Sequence, residues 1–259
     1  MLTRLRAALG IALVALIAAV SVSCGGGVFG KQYEYEEDMT IALDGSVTIV
    51  VNASLPALVA LRGLDLPVDP NARPDRDRIR QMYSTPVTSV TRVSRPWSRK
   101  GRRFVQIRVQ VDDVRRLHEA PPFAWSKYSM TEEGGHHVFT EVVGPSAMKR
   151  GTLKNYGWDG SEIVAFRLHV PSKILFHNSR SLETNEPLQP ERGNILAWEQ
   201  HLADRLEGKP IQIKVEMESR SILYRTLWIF VGAFTAAVLL LALLVWWFVW
   251  RGRDEPHSV

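Results

Sequence analysis

From Thr226 to Trp250 the chain carries no charged residue over 25 consecutive positions. In helical form, at 1.5 Å per residue, such a run is roughly 37 Å long, more than the hydrocarbon core of about 30 Å that a bilayer presents. It must be buried either in lipid or inside a protein much larger than 259 residues, so the sequence predicts one tilted transmembrane helix over residues 226–250. Trp228 and Phe230 near one end, and Trp246, Trp247, Phe248 and Trp250 at the other, fall where aromatic rings favour the headgroup level. Arg251 and Arg253 follow at once, and the positive-inside tendency assigns the tail, residues 251–259, to the cytoplasm. Gly232, Ala233, Ala236 and Ala237 form a small-residue patch through which a protein partner can pack in the bilayer.

The front of the chain demands the same orientation. Arg4 and Arg6 precede an apolar run over residues 7–22 that is short for a spanning helix, so residues 1–23 read as an export signal. Ser21 and Ser23 place small residues where an ordinary signal peptidase cuts, while Cys24 directly after them fits a bacterial lipoprotein signal. Lipidation of Cys24, simple cleavage and an uncleaved anchor are the alternatives. Glycines 25–27 make residues 24–30 a flexible tether. Cys24 is the only cysteine, which excludes an internal disulfide framework and any cysteine-ligated zinc or iron–sulfur centre.

About 197 residues remain between the two apolar segments, and their net charge is only about +2, because most of the formal +5 belongs to the ends. With 46% hydrophobic and 23% charged residues, disorder and a multi-spanning transporter are both excluded. Residues 31–221 are expected to form one extracytoplasmic domain. Residues 31–43 and 46–53 are rich in β-formers on either side of Asp44-Gly45, a dipeptide suited to a tight hairpin. Ser54 can cap a short helix that Gly63 ends, and Pro74 can open another reaching Tyr83. A second hairpin is predicted over residues 87–94 and 103–111 with its turn at 98–102, and a third over 123–131 and 137–143 around Gly134-Gly135. Between these, Asp112 and Asp113 start a short helix that Pro121-Pro122 stops. Residues 163–170, 194–199 and 211–217 read as strands, residues 200–207 as a turn or short helix, and residues 171–191 as irregular.

Hairpins interspersed with two or three short helices predict an α+β fold with a mainly antiparallel sheet, plus one C-terminal transmembrane helix. The order of features resembles bacterial envelope proteins of the LppM type: a lipoprotein-like signal, an early strand pair with an Asp-Gly turn as at Asp44-Gly45, a tryptophan-bearing strand as at Trp198, and a last strand entering one transmembrane helix. The resemblance covers most of the chain and is one of architecture, with no sharp motif. It implies a non-catalytic envelope protein that binds lipids or glycolipids, and it carries over no functional residue.

Motifs for catalysis are mostly absent. There is no G-x-S-x-G elbow, H-E-x-x-H pair, P-loop or G-x-G-x-x-G opening a helix. Ser146-Ala147-Met148-Lys149 matches the S-x-x-K of penicillin-recognising enzymes, but the companion S-D-N and K-T-G elements are missing. His136 and His137 are adjacent on a predicted strand and point to opposite faces, so they do not share a metal. Glu34, Glu36, Glu37 and Asp38 read as an acidic, solvated strand edge. No enzyme activity, metal or cofactor is expected. The alternative is an envelope hydrolase with dispersed active-site residues.

One segment departs from the even charge balance. Arg92, Arg95, Arg99, Lys100, Arg102, Arg103 and Arg108 follow one another without an acid among them, around Trp97 and Phe104. Interleaved basic and aromatic residues bind nucleic acid, anionic lipid or glycolipid headgroups, or acidic polysaccharide. Export removes nucleic acid as a partner. The expected function is a membrane-anchored binding module that meets a lipid, glycolipid or protein partner at the membrane surface. The short links at both ends further predict that both termini leave one side of the domain, with the first and last strands neighbours and the basic hairpin held against the leaflet.

Overall fold

The computed structural model describes residues 31–148 and 156–251, without the side chains of Leu223, Arg225 and Arg251. The signal segment, Cys24 with the rest of the tether, Lys149 and the tail beyond Arg251 lie outside the described residues. The fold is α+β, its sheets are mostly antiparallel, and it ends in one long apolar helix.

Strands β1 (Tyr33–Ile41) and β2 (Val47–Ser54) form the first hairpin. At its turn, Gly45 takes a φ of 90° and the Asp44 carboxylate accepts hydrogen bonds from the amide and hydroxyl of Ser46. Ser54 then caps α1 (Leu55–Arg62), its hydroxyl oxygen accepting from the Ala57 amide at 3.1 Å. Gly63 ends that helix in the left-handed region at φ 68°. The second helix, α2 (Arg76–Tyr83), starts two residues after Pro74, because the Asp75 carboxylate accepts from the amides of Asp77 and Arg78 and takes the capping role.

Strand β3 (Thr88–Val93) pairs with β5 (Arg102–Val111) as the pattern predicts, but the turn is tighter. A short strand, β4 (Trp97–Arg99), also pairs with β5, and the reversal is confined to Lys100-Gly101, both at positive φ. The stretch after β5 is two 3-10 turns, Val114–Glu119 and Pro121–Phe123, with Asp113 capping the first and Pro121 opening the second. The third hairpin is β6 (Ser126–Glu133) and β7 (His136–Val143). There follow β8 (Ile163–His169), β9 (Ser172–His177), β10 (Ile195–His201), the single-turn α3 (Leu202–Leu206), β11 (Ile211–Ser221) and α4 (Ile222–Arg251). Strand β9 falls in the stretch expected to be irregular. It is an edge strand whose Lys173, Leu175 and Phe176 are exposed, so its sequence lacks the apolar alternation that a half-buried strand shows.

The strands form two sheets, not one. The larger runs β10-β8-β1-β2-β5-β3 with β4 added to β5, and the smaller runs β6-β7-β11-β9. Among the described strands only β1 and β8 are parallel. Residues alternate along each strand, so Ile49, Val51, Ile107 and Val109 of the large sheet enter the same core as Phe139, Ile213 and Val215 of the small one. Burying side chains of this size contributes roughly 1.5–3 kcal/mol each.

The first and last strands are not sheet neighbours, since β1 belongs to the large sheet and β11 to the small one. Nor do the two ends leave one side. The Ile222 amide, at the start of α4, donates to the Pro171 carbonyl just beyond β8, which runs parallel to β1 and pairs His169 with Thr40. The helix therefore departs from the Ile41 end of β1, while the domain begins at its Tyr33 end, nine strand residues and roughly 27 Å away. The parallel pairing of β1 with β8, a contact over more than a hundred residues of sequence, decides this arrangement.

Candidate functional site

The outer face of the large sheet collects much of the basic segment. Arg92 of β3 stands opposite Arg108 of β5, and the row continues through Val50 of β2 and Asp38 of β1 to Arg167 of β8. Directly opposed residues share a face, so the two arginines project together. Both are exposed. Two acids of this face are engaged by β8: Glu36 with Arg167 at 3.2 Å, and Asp38 with His169 at 2.8 Å. Among the described residues, Arg92, Arg95 and Arg108 form no ion pair.

Toward the Tyr33 end of the same face, Trp97 stacks on Phe104 with 5.9 Å between ring centroids and 23° between planes. The Arg99 guanidinium lies 4.7 Å from the Phe104 ring and donates to the Tyr33 carbonyl. Trp97 is 39% exposed, a large aromatic surface for a strand residue. One row further along, Gln106 Nε2 donates to Asn52 Oδ1 at 2.9 Å and ties β5 to β2. The β3 edge is covered from outside, because Arg76 and Arg80 of α2 donate to the Val93 and Val90 carbonyls at 2.8 and 3.0 Å.

Two members of the basic segment stand apart. Arg102 is buried: its Nε and Nη2 donate to Glu34 Oε1 at 3.0 and 2.8 Å and its Nη1 to the Gly157 carbonyl at 2.7 Å. It pins the turn end of the hairpin to β1 and is withdrawn from any surface. Arg103 is half-buried, its Nε donating to the Pro70 carbonyl at 2.9 Å. Lys100 stands at the exposed tip of the turn.

The acidic run is no solvated edge either. β1 is central in its sheet, and Glu34 and Glu37 are buried. Glu37 Oε2 accepts from the Tyr35 hydroxyl at 2.5 Å and from Arg62 Nη2 at 2.9 Å, and the Arg62 guanidinium also lies 4.8 Å from the Tyr35 ring. Glu141 of β7 faces this group from the small sheet. Burial, and after it the negative charge of Glu37, push its pKa up to about 8. Arg205 of α3 is buried as well, donating to the Lys209 and Gly144 carbonyls, and its pKa is pushed down to about 10 by burial and then by Arg62. Both sheets line a void of about 10 Å³ beside Glu37 and Glu141. These partners lie far apart in sequence, and no local pattern marks them.

Where α4 leaves the domain, two open grooves flank Ser221 and Ile222. One, about 900 Å³, is lined by Ile41, Leu43, Asp44, Val170 and Asn194. The other, about 580 Å³, is lined by Lys173, Glu218, Arg220, Tyr224 and Trp228. The Ser146 hydroxyl donates to the Met148 carbonyl at 2.6 Å, and Lys149 lies outside the described residues. Among the described residues no three of His, Cys, Asp and Glu converge as a metal site.

The chain matches no protein-family profile and no curated protein. Among solved structures, the folded domain of the Mycobacterium tuberculosis protein LppM, determined by NMR, is similar over 75% of this chain and 95% of that one, at 12% identity. The TM-score is 0.38, a level that does not by itself establish a common fold.

Proposed function

We propose that this chain is a non-catalytic, membrane-anchored binding protein of the bacterial cell envelope. The α+β domain stands outside the cytoplasm, α4 crosses the membrane, and the grooves beside Ile222 take the headgroup of a lipid or glycolipid. The observation that carries this is α4 itself: 25 uncharged residues, Thr226–Trp250, every one of them exposed in the folded chain. A helix of that composition needs lipid around it. The groove holding Lys173, Arg220, Tyr224 and Trp228 then opens at the level of the headgroups, where a cation can meet phosphate and an aromatic ring can rest half in apolar phase. The small residues Gly232, Ala233, Ala236 and Ala237 leave a helix face on which a protein partner can pack.

The test is lipid mass spectrometry on the full-length chain extracted from membranes in non-ionic detergent. One lipid class is expected to be enriched over the bulk membrane, and Arg220→Glu is expected to lower that enrichment. Co-purified lipid with bulk composition in both proteins would overturn the proposal.

A further inference from the structure

We infer that the outer face of the large sheet, along β5 from Trp97 at the end away from α4 to the Arg92–Arg108 pair in the Asp38 row, is a binding platform for an acidic polysaccharide. Three observations meet there. Arg92 and Arg108 oppose each other directly across β3 and β5, and like charges so placed are destabilising unless something anionic sits between them. Among the described residues nothing does, because Glu36 and Asp38 of β1 are held by Arg167 and His169 and Glu34 by Arg102. An arginine pair of this kind suits a carboxylate, sulfate or phosphate, which each guanidinium can grip with two N–H groups.

The second observation is aromatic. Trp97 lies on the same face as Arg108, four strand residues or about 14 Å further along, and is fixed by its stack on Phe104 with Arg99 beyond. An exposed, immobilised ring offers its flat side to the C–H face of a sugar. Between ring and cations lies the Gln106–Asn52 amide pair, with donors and acceptors suited to hydroxyl groups. Ring, amides and cations follow one another along β5, so an extended chain of sugars bearing acidic groups can meet all three.

The third is position. Arg99 reaches the Tyr33 carbonyl, at the end of β1 opposite to where α4 begins. The aromatic end of the platform is therefore the end of this sheet farthest from α4, with the arginine pair about 14 Å nearer to it, and the exclusion of nucleic acid rests on the extracytoplasmic placement proposed above.

The full-length chain in non-ionic detergent is run through native gels containing alginate, a polyuronate, or neutral dextran. Alginate is expected to retard it, less so as salt rises, and dextran to leave it unaffected. The double variant R92S/R108S is expected to weaken retardation roughly tenfold or more. Both arginines are exposed, and losing the like-charge contact leaves the fold intact, as unchanged near-ultraviolet circular dichroism would record. Trp97→Ala should weaken binding to alginate while leaving any binding to inorganic polyphosphate, which has no sugar rings, unchanged. No retardation by alginate, or equal retardation of parent and R92S/R108S, would each overturn the inference. None of these readouts depends on which side of the membrane the domain occupies, so the inference and the membrane placement fail separately.

Discussion

Arg62 of α1 and Glu37 of β1 form an ion pair at 2.9 Å with only 3% and 1% of their side chains exposed. Taking both charges out of water is costly, and the pair is tolerated because the Tyr35 hydroxyl donates to Glu37 and accepts from Arg62 Nε at 2.9 Å. Breaking it from one side strands a buried charge. Arg62→Met is expected to destabilise the domain by about 3–5 kcal/mol, while replacing Glu37 as well, in R62M/E37M, should cost clearly less than the single change. Urea unfolding of the three proteins measures this, and additive losses would show that the two side chains act independently.

Glu141 gives stability a pH dependence of unusual sign for a carboxyl group. Its pKa rises from the ordinary 4.5 to about 8 in the fold, so folding takes up a proton across that window. Stability is fully present below the lower value, falls as pH rises through the window, and levels off above the upper one. Glu141→Gln cannot lose a proton, so its unfolding midpoint should vary less than the parent's between about pH 5 and about pH 8. Identical shifts in the two proteins would place the titration elsewhere.

Local signals carried much of the fold. Asp44-Gly45, Ser54 and Gly63 each act through neighbours a few residues away, and the first hairpin and α1 form where those residues place them. The basic cluster was visible as composition, but its division was not. Arg102 turns inward because Glu34, 68 residues away, lies beside it, while Arg92 and Arg108 stay outside as cross-strand neighbours. Glu37 reads as another member of an acidic run, and only the strand period together with Arg62 brings it into the core. The separation of the strands into two sheets depends on β11 choosing β7 and β9 over β1, which no local pattern states.

Gly144 is a position where a side chain has no room. A Cβ there would stand 2.5 Å from the Trp125 carbonyl oxygen, to which the Gly144 amide already donates at 2.8 Å. The obstacle is backbone and cannot rotate away. Gly144→Ala should therefore destabilise by about 1–3 kcal/mol, the range of an overpacked core. A thermal unfolding midpoint equal to the parent's would contradict the close approach of these two segments.

Cys24 separates the two forms of export. If the front segment is a lipoprotein signal, Cys24→Ala should abolish acyl labelling and leave a larger precursor on gels. If the variant is processed to the parent's size, the Ser21-Val22-Ser23 site is an ordinary one and α4 is the sole anchor.

The proposed function depends on a domain held outside the cytoplasm by α4. The direct measurement is a pair of reporter fusions in the intact chain, alkaline phosphatase and green fluorescent protein, placed after Val259 and within the exposed Gly134-Gly135 turn. Phosphatase should be active only at the turn and fluorescence should appear only at the C-terminal end. Phosphatase activity after Val259, or fluorescence from the turn, would contradict the account.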